Sequence, residues 1–350
     1  MSEITTPPPN PIGWFRSAWF DHTFIGGIAL IALISGFIVV MKPELFPVVL
    51  IADLWLLGYH HVIATFTRLA FNKDNLREYR FFVFVLPLIV FSVTFATAWF
   101  IGVWVIATIY LYWQWFHYTR QSWGISQAYR GKSGGLVKDN PLFAKLSFYL
   151  VPIWGILHRS WQAPDTFIFV ELRVIPIPEL LVDITGVLAV LSVLAWVYTR
   201  IQAWRAGQLP IAHTYYMISH FVIFYVGYGL IEDITYGWLV INIWHNAQYV
   251  LFVWLFNVNR YKKGIDDKAL FLSTISQPKN ILRYFFVTLA ISTLVYGSLS
   301  VVISRDLLLV GLPLTVLFYQ TVNFHHYIVD SVIWKMRKPK MQKTLGIKNS

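Results

Sequence analysis

The sequence contains no cysteine and few charged residues. Lysine and arginine number 28 and aspartate and glutamate 17, so charged residues make up only 13% of the 350 positions, whereas soluble domains carry about 25%. The absence of cysteine excludes disulfides, thiolate metal ligands and cysteine nucleophiles. With 57% hydrophobic residues and a mean hydropathy of +0.58, the shortage of charge excludes a cytosolic enzyme, a disordered scaffold and a disulfide-rich secreted domain.

Long apolar runs take the place of charged surface. A membrane-spanning helix needs roughly 20 mostly apolar residues. The runs predict an all-α, polytopic integral membrane bundle of about ten transmembrane helices, at approximately 23–41, 45–67, 81–99, 101–118, 141–158, 178–199, 210–231, 236–258, 281–303 and 307–334. We expect one transmembrane domain over 23–334, preceded by a cytoplasmic tail of residues 1–22 and followed by a basic cytoplasmic tail of residues 335–350.

The basic residues orient these spans. With both termini on the inner side, 24 of the 28 basic residues fall in inner segments, and the outer side keeps only Lys42, Arg159, Arg173 and Arg305. Cytoplasmic loops of membrane proteins carry such an excess. The same distribution explains the net charge of +11 without nucleic-acid binding. We therefore predict a multi-pass protein with both termini inside, which in a bacterium would be in the inner membrane. The oligomeric state stays open.

Histidine is placed unusually within these spans. Eight of the ten histidines fall inside predicted helices, in the middle or inner half of the membrane: His60, His61, His117, His213, His220, His245, His325 and His326. A single intramembrane histidine often does no more than hydrogen-bond across helices. Eight of them at overlapping depths favour a shared interior site, and imidazole is the commonest metal ligand.

We predict an intramembrane metal site whose candidate ligands are His60, His61, His117, His220, His245, His325 and His326. Because adjacent residues point about 100° apart on a helix, normally only one histidine of each pair faces a given centre. His213, Tyr249 and Trp244 are candidates for lining the cavity.

Polar neighbours can orient these imidazoles. Asp330 lies four residues after His326 and therefore on the same helix face, where a carboxylate can accept the ring N–H. The alternative is that Asp330 pairs with Lys335 or Arg337 near the inner surface. Asn246 and Asn323 are further candidates for holding the histidines in place.

Three short segments carry a family resemblance. They are Leu57-Gly58-Tyr59-His60-His61, Trp115-Phe116-His117-Tyr118 and Ile243-Trp244-His245-Asn246. In this order they resemble the histidine motifs of the Brp/Blh family of membrane carotenoid dioxygenases. The resemblance implies a histidine-bound iron and cleavage of a carotenoid by dioxygen. The chain departs from the family pattern where Tyr249 replaces a second histidine in the third motif, so His220, His325 or His326 would have to complete a four-histidine set.

These observations predict an integral-membrane oxidoreductase. A histidine-bound non-haem iron, with haem or copper as the other options, would act with dioxygen on an apolar, lipid-soluble substrate such as a carotenoid or lipid. Two alternatives remain. One is a proton-coupled transporter or channel with a histidine relay. The other is a b-type haem electron carrier in which histidines from facing helices are the axial ligands.

Overall fold

The computed structural model describes residues 12–134, 140–306, 314–336 and 338–347. The chain is 83% helical and almost without strands, as the composition predicted. The helices, numbered in chain order, are α1 Ala18–Met41, α2 Pro43–Leu69, α3 Lys73–Glu78, α4 Phe81–Phe100, α5 Val103–Lys132, α6 Pro141–Gln162, α7 Glu179–Arg205, α8 Ile211–Tyr225 with a π-helical turn Val226–Leu230, α9 Ile234–Arg260, α10 Leu270–Ile275, α11 Ile281–Asp306, α12 Leu314–Ile333 and α13 Pro339–Leu345.

A two-residue hairpin interrupts the helical chain after α6. Its strands, β1 Thr166–Phe167 and β2 Val170–Glu171, pair antiparallel with Thr166 opposite Glu171.

Seven helices in the described part of the chain are long and apolar enough to cross a membrane. They are α1, α2, α4, α6, α7, α9 and the segment Pro278–Leu299, which contains most of α11. The predicted spans at 101–118, 210–231 and 307–334 correspond to α5, α8 and α12, which are helical but less apolar because they carry histidine, glutamine, asparagine and tyrosine. A multi-pass membrane bundle is therefore supported, while the number ten remains a prediction.

Local sequence signals explain where several helices begin and end. Gly102, at a φ of +129°, makes the turn between α4 and α5. Asn140 accepts the N–H groups of Leu142 and Phe143 at the start of α6, and Pro141 occupies the first helical position, where its missing N–H costs nothing. The largest departure from prediction is α5, which continues to Lys132 through residues expected to form a loop. The predictions for residues 1–11, 307–313, Arg337 and 348–350 concern positions outside the described residues.

Helix α9 lies at the centre of the bundle. In the most apolar stretch of α9, 89% of the residues are buried, whereas the corresponding share in the other six apolar helices is 22–44%. The outer helices instead present large apolar side chains to the surroundings, including Leu180, Val187 and Leu194 on α7. An extended apolar surface of this kind is favourable in contact with lipid but unfavourable in contact with water. The centre around α9 is thus the part of the molecule farthest from lipid, and it is where polar side chains collect.

Candidate metal centre

The candidate metal centre begins with α2, which carries His61 and Thr65 one turn apart. Between Leu54 and Gly58 the helix forms a π-helical turn before returning to α-helix at Tyr59. A π turn inserts one extra residue, so it changes the face on which every later side chain points, and such turns are frequent at functional sites. Both His61 and Thr65 are buried, and they face α9 and α12.

Two more helices each supply a buried histidine and a second polar side chain one turn later. Helix α9 presents His245 and then Tyr249, while α12 presents His326 and then Asp330. Residues four apart lie on one helix face, so each pair points in the same direction.

Helix α5 contributes His117 to the same centre. The imidazole of His117 stacks on the ring of Tyr327 at 4.3 Å, and its centroid lies 5.0 Å from that of His326. All four side chains, those of His61, His117, His326 and Asp330, are buried. Potential ligand atoms of these four residues lie within 4.8 Å of one another.

Two histidines of this group face each other directly. The Nε2 atoms of His61 and His326 are 2.7 Å apart, and their rings are nearly perpendicular at 75°. Two imidazole nitrogens that bind one ion at about 2.0–2.1 Å would be separated by roughly 2.9–3.4 Å for right-angle to tetrahedral geometry. The observed separation is close to that range, so a small adjustment would let both nitrogens bind a common ion.

Asp330 takes a position different from the one its spacing suggested. The Nδ1 atom of His326 lies 2.8 Å from the hydroxyl of Thr65, so threonine, rather than Asp330, holds the far nitrogen of that ring. The Oδ1 atom of Asp330 accepts hydrogen bonds from Tyr249 (2.8 Å) and Thr65 (3.3 Å). Its Oδ2 atom lies 3.5 Å from Nε2 of His326, on the side that faces His61. The carboxylate therefore belongs to the group of side chains that could hold a metal ion, rather than to the residues that orient His326.

Three buried atoms of the group lack a hydrogen-bond partner: Nδ1 of His61, Nε2 of His117 and Oδ2 of Asp330. A buried carboxylate oxygen without a partner is costly, and the cost is normally offset by a cation or a hydrogen bond. Three imidazoles and one carboxylate suit iron, zinc or copper, and the chain has no thiolate to favour a softer site. The residues present therefore fit a metal ion.

A haem fits this place poorly. Axial nitrogens bound at about 2 Å on opposite sides of one metal would be about 4 Å apart, farther than the His61–His326 separation. The cavity bounded by His61, His245 and His326 measures about 10 Å³, so there is room for a water molecule or an ion between these histidines and not for a macrocycle.

His245 borders the centre without joining the group of four. Its ring centroid lies 4.9 Å from that of His61 and 5.1 Å from that of His117. The ring of Tyr118 lies against its other side at 3.9 Å. Of the four histidines in the three resemblance motifs, the fold brings together His61, His117 and His245. The fourth, His60, which stands where the family motif has its histidine, points elsewhere and contacts Thr288.

A polar chain leads from His245 toward the predicted outer side. Gln114 donates to the hydroxyl of Tyr118, Tyr118 donates to the amide oxygen of Asn242, and Asn242 donates to Oδ2 of Asp53. Asp53 is buried, and its other oxygen has no hydrogen-bond partner. Asn246 and Asn323, predicted to hold the histidines, line the 10 Å³ cavity, and Asn323 donates to the carbonyl of Tyr319 at 3.0 Å.

Three predicted ligands lie elsewhere in the bundle. His60 lies 2.6 Å from the hydroxyl of Thr288, and His325 lies 2.7 Å from the carbonyl oxygen of Phe82. His220 uses both nitrogens, with Ser122 at 3.0 Å and the carbonyl of Phe148 at 3.0 Å. Each of these contacts satisfies a buried imidazole by hydrogen bonding across helices, which is the ordinary role of such a residue.

Of the three residues predicted to line the cavity, one lies at the candidate metal centre and two lie elsewhere. Tyr249 lies at the centre, with its ring stacked on His61 at 4.0 Å. His213 instead contacts Ser126 at 3.2 Å. Trp244 packs between the aromatic rings of Tyr216 and Phe224, away from the metal group.

Trp334 was not predicted as a site residue, and Thr65 and Tyr118 were identified only as polar or aromatic residues of the histidine-bearing spans. The indole N–H of Trp334 donates to the hydroxyl of Tyr249 at 2.8 Å and so belongs to the same network. For Thr65 the sequence did carry a signal. It follows His61 by four residues, as Tyr249 follows His245 and Asp330 follows His326. A search for polar residues one turn from each intramembrane histidine would have found it.

No family model matches the chain, and no curated protein or solved structure is significantly similar to it. The resemblance to the carotenoid dioxygenases therefore rests on its three short motifs alone.

Proposed function

We propose that this protein is an integral-membrane, metal-dependent oxidoreductase that uses dioxygen to oxidise a lipid-soluble substrate. One observation carries the proposal. His61, His117, His326 and Asp330, from three different helices, bring potential ligand atoms within 4.8 Å of one another in the buried centre of a bundle with membrane-spanning helices. A cluster of this kind is expensive to bury unless it binds something.

Non-haem iron is the proposed metal. Neutral imidazoles combined with one carboxylate are the ligands of the non-haem iron oxygenases, which keep open positions for oxygen and substrate. When bound, the iron would supply the redox chemistry with dioxygen.

The chain's own residues hold and shield this centre. Thr65 and Tyr249 fix His326 and Asp330 by hydrogen bonds, and the ring of Tyr249 supports His61. The buried position limits access by water, which protects reactive species from side reactions.

The proposed reaction balances without an external electron donor. A carbon–carbon double bond of the substrate and one molecule of dioxygen give two carbonyl products, so both oxygen atoms end in product and the double bond supplies the electrons. The substrate would be an unsaturated carotenoid or lipid that reaches the centre from the membrane.

A proton-coupled transporter is the second candidate, because one observation favours it. The chain from Asp53 through Asn242 and Tyr118 ends against His245, so titratable groups extend from the metal group toward the predicted outer side. Intramembrane carboxylates and histidines commonly relay protons.

Metal analysis of the purified protein, together with its absorption spectrum, separates the candidates. An oxygenase is expected to bind about one iron per chain, to lose it in the His61→Ala variant, and to keep it in His60→Ala, whose imidazole bonds to Thr288. Dioxygen uptake with an unsaturated lipid should follow the iron content. A metal-free protein that acidifies proteoliposomes would instead establish the transporter.

A further inference from the structure

A second cavity, larger than the one bounded by His61, His245 and His326, is also lined by residues of the metal group. It measures about 410 Å³ and is partly open, and it lies between α5 and α12, which contribute most of its lining; we call it the inner crevice. Three residues of the metal centre, His117, Asp330 and Tyr249, form part of its wall. A molecule in the inner crevice would therefore touch the residues that are proposed to bind the metal.

One part of the lining of the inner crevice is aromatic. Trp113, Phe116, Phe252 and Trp334 line it, and Phe116 is half exposed at its side. Aromatic walls in a partly open cavity suit the hydrocarbon chain of a ligand.

The mouth of the inner crevice has the opposite character. Arg120 and Lys335 line it, and the only carboxylate among its described lining residues is Asp330 of the metal group. Arg120 is exposed and donates to the hydroxyl of Tyr149 at 3.2 Å, which leaves further guanidinium N–H groups for a ligand. The mouth therefore presents two cations that no carboxylate in its wall neutralises.

Two glutamines in the same wall carry unsatisfied polar atoms. The Nε2 atom of Gln127 and the Oε1 atom of Gln121 are buried and make no hydrogen bond. Both atoms are closed off from the crevice, so the two cations at its mouth are the groups available to a polar ligand. On α5, Arg120 and Gln127 lie roughly 4.5 Å and 15 Å along the helix axis from His117, toward the mouth.

We propose that the inner crevice binds an amphiphile with an anionic head group and an unsaturated hydrocarbon chain. The head group, a carboxylate or phosphate, is held by Arg120 and Lys335. The chain lies against the aromatic wall and reaches the metal group. This inference deepens the proposed function and rests on it for the reaction, but the binding step stands independently of the metal. It selects an acidic lipid over an uncharged carotenoid hydrocarbon.

Binding is tested on metal-free protein in a neutral detergent. Brominated fatty acid quenches tryptophan fluorescence, and Trp113 and Trp334 line the crevice. Because other tryptophans of the chain are exposed on the outside of the bundle, occupancy is taken from the saturable part of the quenching that unbrominated ligand reverses. Dibrominated stearate is compared with the matching dibrominated alcohol, and lysophosphatidate competes against the uncharged monoacylglycerol. We expect each anionic ligand to bind about tenfold or more tightly than its neutral counterpart, and the tighter of the two identifies the head group.

The variants provide the matched comparison. The double substitution Arg120→Gln, Lys335→Gln should weaken the anionic ligand about tenfold and leave the alcohol unchanged. The control is Lys73→Gln, Lys279→Gln, which removes the same charge from exposed lysines outside the crevice lining and should have no effect. Both proteins should keep the wild-type melting temperature.

Equal binding of acid and alcohol, or equal weakening in both double variants, would overturn the inference. The outcome is separable from the proposed function, because iron content is measured on the same proteins. If the protein retains iron but binds anionic and neutral ligands equally, only the proposed substrate class is refuted. A preference for anions without iron removes the oxygenase and keeps the lipid site.

Discussion

Nε2 of His61 and Nε2 of His326 lie 2.7 Å apart, although 265 positions separate the residues in the chain. Without an ion, one of the two nitrogens must donate a hydrogen bond to the other. Nδ1 of His61, Nε2 of His117 and Oδ2 of Asp330 then stay buried without a hydrogen-bond partner. With an ion, both nitrogens would donate their lone pairs to the metal, and Asp330 would supply a negative charge. The contact therefore makes clear predictions for substitutions at either residue and at their chain neighbours.

Each pair of adjacent histidines, His60-His61 and His325-His326, provides one variant at the site and one control. We predict that His61→Ala and His326→Ala each abolish metal binding, since each removes a ligand from a small set. His60→Ala and His325→Ala should keep it, because these rings bond to Thr288 and to the carbonyl of Phe82. Metal content of the four purified variants is the measurement. Equal occupancy in all four would contradict the assigned site.

The carboxylate of Asp330 is predicted to matter for the metal beyond its hydrogen bonds. Asp330→Asn preserves the size of the side chain but removes the charge, so metal affinity should fall about 10–100-fold. Titration of metal into stripped protein measures this. The control is Asp53→Asn, which changes another buried carboxylate bonded to Asn242 and should leave metal affinity unchanged. Were Asp330 merely paired with Lys335 at the inner surface, the two variants would behave alike.

The hydroxyl of Tyr249 is predicted to act through its neighbours. Tyr249→Phe keeps the ring stacked on His61 and removes the bonds to Asp330, Thr65 and Trp334. Because these bonds orient the carboxylate, metal affinity should fall about tenfold while the protein remains folded. Tyr296→Phe is the control, since its buried hydroxyl has no hydrogen-bond partner. An unchanged affinity in Tyr249→Phe would show that Asp330 needs no such support.

The predicted topology can be checked by labelling, which the absence of native cysteine makes direct. Cysteine at Lys268 should react from the cytoplasmic side and cysteine at Arg173 from the opposite side, as the distribution of basic residues requires. The structure agrees in one respect: Lys268 forms an ion pair with Asp74 at 2.8 Å, so the two predicted inner segments meet. Lys138, a third predicted inner residue, lies outside the described residues. Labelling of both cysteines from one side would refute the orientation.

The packing of α9 makes a separate prediction about stability. A Cβ added at Gly237 would lie 2.0 Å from the carbonyl oxygen of Gly227, which is backbone and cannot move aside easily. Gly237→Ala should therefore destabilise the bundle by ~1–3 kcal/mol, measured by unfolding in detergent. Gly297→Ala is the control, because a Cβ there meets nothing within 4 Å. Equal stability of the two variants would contradict the close approach of α9 to the turn after α8.

Several features of this protein were predictable from its sequence because they depend on local composition. Apolar runs of spanning length and the scarcity of charge predicted a helical membrane protein, and the helices α1, α2 and α9 lie close to their expected bounds. The accumulation of histidine within the apolar runs predicted that a polar site is buried among the helices. His61, His117 and His326 of the group of four were among the predicted ligands, since burying so many imidazoles needs a common explanation.

Tertiary structure decided which of the histidines meet. Helical spacing shows that His60 and His61 point in different directions, but it cannot show which direction leads to the centre. The π turn before Tyr59 resets that direction on α2, and it follows from packing rather than from composition. Likewise, His220 and His61 look alike in sequence, yet one is satisfied by Ser122 and Phe148 while the other faces His326. The sequence determined that histidines are buried among apolar helices, whereas long-range packing, which local spacing cannot reveal, decided which of them form the candidate metal centre.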